Sequence, residues 1–385
     1  AVCGLADHGD TWGRAQQGGE PGPDENLIVD NQHPDQLVIV WRHWPTIGDP
    51  CPPRAAPRSR YGRGMRWVVV GAGAVGGVVG ARLFAAGHEV VLVARGEHLA
   101  EINRGGLQVL SPEGERRYRI GAVGSPADVD WRPDDVVVLA VKSMDTAGVL
   151  VEVGAHADQA TPVLLLQNGV TNEAAALRRF ANVYAGCVMM PVSHLRPGVV
   201  VQDSAPTPGI LDLGRYPVGV DVTAVALSAA LSSAGFESLP RPDIMRWKYT
   251  KLLLNLGNAA EALCGRVDGL DDVLRLLRAE GEAVLRAAGI EYVPADEEAT
   301  RRGTILRIGP VAGAVRSGGS TWQSLVRGAG AVEADHLNGE IVMLGRLHGV
   351  PTPANETARR LVNQHARDGV GPGKLTVEQF LAAVG

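Results

Sequence analysis

Several features that would assign this sequence to a particular class of protein are missing. No run of about 18 apolar residues occurs, so no helix is predicted to cross a membrane. The N-terminal segment lacks the basic start and apolar stretch of a secretory signal. No arginine-rich block with interleaved aromatic residues is present, and the net charge is −5, so nothing indicates a nucleic-acid partner.

Cysteine is scarce, and its spacing matches neither a metal site nor a redox motif. We therefore expect no metal, and a reducing cytoplasm is the expected location. Cys187 and Cys264 lie in apolar stretches, which predicts buried free thiols. The other two cysteines are Cys3 and Cys51.

Lysine is also scarce, since only four of the 37 basic residues are lysines. Arginine is the routine cation of this chain, so each lysine is a candidate for chemistry that arginine cannot perform, such as proton transfer. The four are Lys142, Lys248, Lys251 and Lys374.

Length and composition indicate two folded domains and an extension. The 385 residues are 45% hydrophobic and 21% charged, as in ordinary soluble globular proteins. Residues 1–64 hold eight of the 24 prolines and are predicted to be mostly disordered. We hypothesise that Met65 is the natural initiator and that the extension comes from an over-long gene assignment or a fusion; the alternative is a regulatory or interaction tail. Residues 65–242 are predicted as a Rossmann-type α/β domain and 243–385 as an all-α domain.

The stretch Met65–Arg95 reads as strand, glycine turn, helix and strand. Arg66–Val70 is apolar and β-branched, as in a buried parallel strand, and a helix is predicted over Val75–Ala86. Between them lies G-x-G-x-x-G, whose glycines permit a tight turn, close approach to a pyrophosphate and close helix packing. The helix N-terminus adds amide donors. The predicted phosphate loop is Gly71, Ala72, Gly73, Ala74, Val75 and Gly76.

Arg95 follows the second predicted strand, His88–Ala94, where NAD-binding units usually carry an acidic residue for the ribose 2′-hydroxyl. A cation at this place suits a 2′-phosphate, so the sequence favours NADP(H) over NAD(H). The alternative is a solvated surface arginine, which is the common case.

Two later strands end in polar residues. Asp135–Val141 is followed by Lys142, and Pro162–Gln167 is followed by Asn168. Because ligands of an open α/β sheet lie beyond the carboxyl ends of its strands, both side chains are predicted to reach the site. Each also suits a simple turn, and Asn168 before a glycine does so strongly.

The pattern of elements changes along the chain. A hairpin is predicted between Gly198–Gln202 and Ile210–Leu213, and a last strand at Phe236–Leu239. From Asp243 onward the periodicity predicts helices only. These helices cover Ile244–Cys264, Asp271–Ala288, Asp296–Ile308, Ala331–His348 and Pro353–Asp368.

Three polar residues share one face of the first of these helices, which is rich in leucine. At about 100° per residue, Asn255 and Asn258 lie within about 40° of Lys251. A partly desolvated lysine has a tunable pKa and suits a general acid. The alternative is a solvated helix face with an extended lysine.

Two further polar groups have simple structural explanations. Glu333 near a helix start complements the helix dipole. Ser320 and Thr321 suit a helix cap, and they equally suit a substrate carboxylate as hydroxyl donors.

Together these motifs resemble the ketopantoate reductase family, over essentially all of residues 65–385 and none of 1–64. The resemblance implies NADPH-dependent reduction of 2-dehydropantoate (ketopantoate) to pantoate in coenzyme A synthesis. It also implies a helical domain of the 6-phosphogluconate dehydrogenase C-terminal type and is compatible with a homodimer. The motifs are GAGAVG at 71–76, Arg95, Lys142, Gln167-Asn168-Gly169, KLLLN at 251–255 and EADHLNG at 333–339.

The resemblance also implies roles for these residues. The glycine loop would hold the pyrophosphate, Arg95 the 2′-phosphate, and Lys142 and Asn168 the cofactor near the nicotinamide. Lys251 would donate the proton to the developing alkoxide, and Glu333 would orient the site. The implied substrate-binding residues are Asn255, Asn258 and Thr321.

The departures from the family pattern lie at the substrate end. Ala259 and Gly318 stand where the family has asparagines, and Thr321 stands where it has a serine. One lost buried hydrogen-bond partner weakens recognition by about 1–3 kcal/mol. The alternatives to ketopantoate reduction are therefore a reductase of another 2-oxo acid, an opine-type dehydrogenase, and a non-catalytic NADP-binding redox sensor.

Overall fold

The computed structural model describes residues 64–314 and 318–385; the predictions for residues 1–63 lie outside these ranges. The strands are β1 (Arg66–Val70), β2 (Glu89–Val93), β3 (Leu107–Ser111), β4 (Gly114–Tyr118), β5 (Gly121–Val123), β6 (Asp135–Leu139), β7 (Val163–Leu165), β8 (Val183–Met189), β9 (Val192–Arg196), β10 (Val199–Gln202) and β11 (Ile210–Arg215). The helices are α1 (Ala74–Ala85), α2 (Gly96–Gly105), α3 (Thr146–His156), α4 (Asn172–Leu177), α5 (Val222–Ser233), α6 (Ile244–Asn255), α7 (Gly257–Cys264), α8 (Leu270–Ala287), α9 (Ala295–Arg302), α10 (Ser320–Val326), α11 (Asn338–His348), α12 (Pro353–Arg367) and α13 (Val377–Val384).

A seven-stranded sheet forms the first part of the chain, in the order β11-β8-β7-β6-β1-β2-β5. All neighbours run parallel except β11, which is antiparallel to β8. Along β1, Trp67 and Val69 pack into one core, and Val68 and Val70 into the core on the other face. The strand order reverses at β1, so a crevice opens between the carboxyl ends of β1 and β6. The predicted Rossmann-type α/β fold is confirmed.

The predicted hairpin between Gly198–Gln202 and Ile210–Leu213 is wrong. β10 belongs to a second sheet of order β4-β3-β10-β9, where it pairs parallel with β3 and antiparallel with β9. β11 instead lies at the edge of the main sheet. Both strands are buried almost throughout and apolar, so their composition did not distinguish between possible partners.

The predicted last strand at Phe236–Leu239 is also wrong. Glu237 and Pro240 form only isolated bridges to β11. Pro240 has no N–H with which to continue a ladder. Ser238 instead donates its hydroxyl to the Leu211 carbonyl at 2.7 Å.

The helix predicted over Ile244–Cys264 is divided into α6 and α7 at Leu256. Leu256 keeps helical dihedral angles (φ −57°, ψ −33°), and its carbonyl accepts a hydrogen bond from Asn338 Nδ2 at 3.0 Å. This amide competes with the backbone N–H of the next turn. Asn338 Nδ2 also donates to Asn355 Oδ1 at 3.0 Å, deep in the helical core.

Other helix ends differ from their predictions. α9 ends at Arg302 because Gly303 has φ +44° and leaves the helical path. Ala331–His348 opens with a single 3-10 turn at Glu333–His336 before α11. α13 was not predicted, although Thr376 forms a capping box at its start.

The helical part buries its own apolar core, formed mainly by α6, α7, α8, α11 and α12. Cys187 and Cys264 are buried free thiols, as predicted. Among the described residues, no helix is long and apolar enough to cross a membrane, and no cluster of three ligating side chains suits a metal ion. The domain boundary at residues 242 and 243 stays a prediction; α6 begins at Ile244.

Candidate active site

A cleft of about 450 Å³ lies at the carboxyl ends of β1, β6 and β7, opposite α6, α7 and α10. It brings together most of the side chains predicted from the sequence. Those lining it are Gly71, Gly73, Ala74, Val75, Arg95, Lys142, Asn168, Lys251, Asn255, Asn258 and Glu333. Ala72, Gly76 and Thr321 are buried and do not line it.

The glycines of the loop after β1 serve different purposes. Gly71 has φ +101°, and a Cβ there would lie 2.7 Å from the Val141 backbone nitrogen. At Gly73 a Cβ would meet nothing within 4 Å, so the missing side chain leaves room for a phosphate. No side chain caps α1, which leaves its first amides available to a ligand. The loop therefore fits a dinucleotide diphosphate.

Arg95 is the N-cap residue of α2, and its side chain is 72% exposed beside the cleft. Among the described residues its ion-pair partner is Asp145, with 3.8 Å between Nη2 and Oδ2. Such an exposed pair contributes little. The guanidinium is therefore available to a phosphate at the end of β2.

Lys251, Asn255 and Asn258 line the opposite wall, from α6 and α7. Asn255 is buried, and its Nδ2 donates to Asn168 Oδ1 at 3.2 Å. Burial lowers the pKa of Lys251 below the ordinary lysine value, and the nearby Cys187 and Glu298 only partly offset this effect. A lowered pKa brings the proton of a lysine closer to the range in which general acids work.

Glu333 is a buried anion that joins the helical part to the end of β6. Its Oε2 lies 2.6 Å from Lys142 Nζ, and its Oε1 accepts hydrogen bonds at 3.1 Å from the N–H and the hydroxyl of Ser143. Burial pushes the pKa of Glu333 upward, but Lys142 and these hydrogen bonds outweigh burial and hold the pKa below its ordinary value. Glu333 therefore fixes the position of Lys142 in the cleft.

Comparison with known proteins shows which family has this combination of domains. Residues 67–217 match the family described as Ketopantoate reductase PanE/ApbA, and residues 243–366 match its C-terminal part. The chain belongs to the ketopantoate reductase family. It is 31% identical over 314 residues to 2-dehydropantoate 2-reductase of Halobacterium salinarum, a match that covers 79% of this chain and all of that relative.

Solved structures agree with membership of the ketopantoate reductase family. The PanE/ApbA family ketopantoate reductase of Ralstonia eutropha is 30% identical, with a TM-score of 0.67 over 79% of this chain and 99% of that one. D-mandelate dehydrogenase with NADH and anilino(oxo)acetate has a TM-score of 0.68 over the same shares, but at 23% identity it shows the fold alone. The predicted family is confirmed, and the chain is an oxidoreductase with a dinucleotide-binding fold.

At the substrate end, the side chains that line the cleft differ from those that the resemblance implies. Thr321, for which the resemblance implies substrate binding, is only 4% exposed, whereas Ser320 lines the cleft. Ala259 is likewise buried, whereas Asn258 lines the cleft. The cleft therefore presents the Ser320 hydroxyl and the Asn258 amide.

Several lining residues were missed from the sequence. Gln323 and Arg327 line the cleft at i+3 and i+7 from Ser320, which the sequence already offers as a hydroxyl donor, so helical periodicity was a usable signal. His194 of β9 lies against His98, with ring centroids 4.5 Å apart, and burial lowers its pKa to about 4. Nothing in the sequence pattern indicated that histidine pair.

Proposed function

We propose that the chain reduces 2-dehydropantoate to pantoate with NADPH, as a cytoplasmic homodimer. The observation that carries this proposal is the row of Lys251, Asn255 and Asn258 facing the glycine loop across one cleft. The relative from Halobacterium salinarum, which bears the name 2-dehydropantoate 2-reductase, supports the choice of substrate.

The first wall of the cleft binds the cofactor, which supplies a hydride when bound. The loop amides and the start of α1 bind the diphosphate, and Arg95 binds the 2′-phosphate that distinguishes NADPH from NADH. Lys142 and Asn168 orient the nicotinamide end of the cofactor. Glu333 holds Lys142 in place, and Asn255 holds Asn168.

The second wall binds the keto acid and supplies the proton. As the keto carbon gains a hydride, Lys251 Nζ gives a proton to the carbonyl oxygen, so the product is a 2-hydroxy acid. Desolvation makes this ammonium a stronger acid, which favours the transfer. Asn255, Asn258 and the Ser320 hydroxyl hydrogen-bond the substrate oxygens.

A different 2-oxo acid is the second candidate substrate, and one observation favours it. Of the three positions that depart from the family pattern, Ala259 and Thr321 are buried away from the cleft, and Gly318 lines it without a side chain. The substrate therefore meets a changed set of hydrogen-bond donors, while the proton donor and the glycine loop are kept.

Purified protein with NADPH and a panel of 2-oxo acids tests both candidates. The rate is measured as the loss of NADPH absorbance. We expect the highest kcat/KM with ketopantoate. A higher kcat/KM with another acid would identify that acid as the substrate instead. NADPH binding without turnover of any 2-oxo acid would favour a redox sensor and contradict the proposed catalysis.

A further inference from the structure

A second buried lysine lies one turn before Lys251 and takes no part in the proposed chemistry. Lys248 is 3% exposed and projects from α6 toward the main sheet. Its Nζ lies 2.6 Å from Glu173 Oε1 and donates to the carbonyl oxygens of Gln167 at 2.9 Å and Gly186 at 3.2 Å. The ammonium is thus hydrogen-bonded to two backbone carbonyls and paired with one carboxylate.

Gln167 itself lines the cleft, and Gly186 lies close to Asn168 and Lys251. Gln167 precedes Asn168 at the end of β7, and Gly186 belongs to β8. The Gln167 side chain is itself fixed, because its Nε2 donates to the Val141 carbonyl at 2.8 Å. One ammonium therefore joins α6 to two neighbouring strands of the sheet.

Helix α6 contacts the Gln167–Asn168 segment at a second point, on the side of the cleft. Asn255 donates to Asn168 at 3.2 Å. At about 100° per residue, Lys248, Lys251 and Asn255 lie within about 60° of one another on α6. Lys251 therefore lies between two points at which α6 is fastened to the Gln167–Asn168 segment.

The ion pair itself is a costly way to stabilise a core. Glu173 is fully buried, and neither of its carboxylate oxygens accepts a hydrogen bond from the described residues, so its contact with Lys248 is an ion pair alone. A buried ion pair is often no more stable than well-packed apolar residues of the same volume, although removing one partner alone is strongly destabilising. Stability alone therefore does not explain a charged pair at this place.

We propose that Lys248 is a positioning residue, which sets the distance between the proton donor Lys251 and Asn168 by holding the Gln167 and Gly186 carbonyls. The proposal rests on the proposed function, in which Asn168 orients the cofactor and Lys251 protonates the substrate. The carbonyl bonds do the positioning, and Glu173 is the counter-charge that keeps the ammonium in the core.

Three variants separate positioning from stability. Lys248→Met should unfold at a lower temperature and lose kcat by about tenfold or more, because small errors of position in an active site are costly. Glu173→Gln should lose stability but keep most of its kcat, because the carbonyl bonds remain. The double variant with Lys248→Met and Glu173→Leu should regain stability while kcat stays low, with NADPH affinity unchanged throughout.

The isotope effect of 4-deuterated NADPH on kcat gives a second readout. It should increase in the double variant, as hydride and proton transfer become rate-limiting, and stay at the wild-type value in Arg346→Met, an exposed control on α11. A double variant that regains both stability and kcat would show that the pair is only structural. Equal losses of kcat in Glu173→Gln and Lys248→Met would also overturn the proposal. A wild-type protein that reduces no 2-oxo acid would instead refute the proposed function, and the positioning role with it.

Discussion

The two walls of the cleft are built in opposite ways. The glycine-loop wall comes mostly from one continuous stretch, residues 66–95, and offers backbone amides and open space. The helical wall collects side chains from α6, α7, α10 and the turn at Glu333, and two of them, Asn255 and Glu333, are fixed by partners far away in the sequence. We infer that substitutions in the first wall change cofactor affinity, whereas substitutions in the second change kcat or the KM for the keto acid.

Lys251→Ala should produce the largest effect and the clearest separation of the two walls. We expect kcat to fall by about 10²- to 10⁴-fold, because a general acid is lost, with NADPH affinity near that of the wild type. In the wild type, kcat/KM should fall as pH rises through the pKa of Lys251, since the ammonium is the donor. Burial lowers that pKa, so the fall should lie below 10.5.

Steady-state rates and a binding titration measure both effects. Lys374→Ala, an exposed lysine outside the cleft lining, is the matched control. Near-full activity in Lys251→Ala would contradict its assignment as the acid.

Arg95→Met should act on the other wall alone. The Kd of NADPH should rise by about 10- to 100-fold, as expected for loss of a charged hydrogen bond, while the Kd of NADH stays unchanged. Arg104→Met, on the same helix and exposed, should change neither constant. Equal weakening of both cofactors would mean that Arg95 does not bind the 2′-phosphate.

Glu333→Gln tests whether the activity depends on the ion pair between Glu333 and Lys142. Lys142 would lose its counter-charge, and we expect kcat/KM to fall by roughly tenfold, with a smaller change in NADPH affinity. The pKa of Glu333 is held below 4.5 in the fold, so its contribution to stability is full above pH 4.5 and is lost as pH falls through the lowered value. The melting temperature of the variant should therefore fall less than that of the wild type as the pH is lowered. An unchanged profile would contradict this.

Ser320→Ala and Thr321→Val compare two neighbouring hydroxyls. Only Ser320 lines the cleft, so its loss should raise KM for the keto acid by about two- to tenfold, the range for one neutral hydrogen bond. Thr321→Val should leave KM unchanged. The reverse result would return the substrate-binding role to Thr321.

Asp145→Asn should produce the smallest effect, and in the opposite direction. Its carboxylate lies beside Arg95 and competes for the guanidinium, so its removal should tighten NADPH binding by a few-fold at most. Added salt should remove the difference, because both side chains are exposed. Weaker NADPH binding in Asp145→Asn would show that the carboxylate assists the cofactor.

The sequence was sufficient where local chemistry decides the structure. Gly71, Gly73 and Arg95 could be predicted because a glycine turn between a strand and a helix is set by neighbouring residues. The shared face of Lys251, Asn255 and Asn258 followed from the helical period alone.

Long-range pairing was not predictable in the same way. The partner of β10 is decided by packing between distant segments, and the choice between Ser320 and Thr321 depends on how α10 is rotated about its own axis. The partnership of Glu333 with Lys142 joins residues 191 positions apart, which no local pattern indicates.

The Asn338 amide has a consequence for how mutations combine. By donating to Leu256 it ties the segment that begins at Glu333 to the helices that carry Lys251 and Asn258. Residues that share such a hydrogen-bonded frame give substitution energies that do not add. We therefore expect substitutions near Glu333 and on α6 and α7 to combine non-additively, so a redesign of substrate preference has to treat these segments together rather than residue by residue.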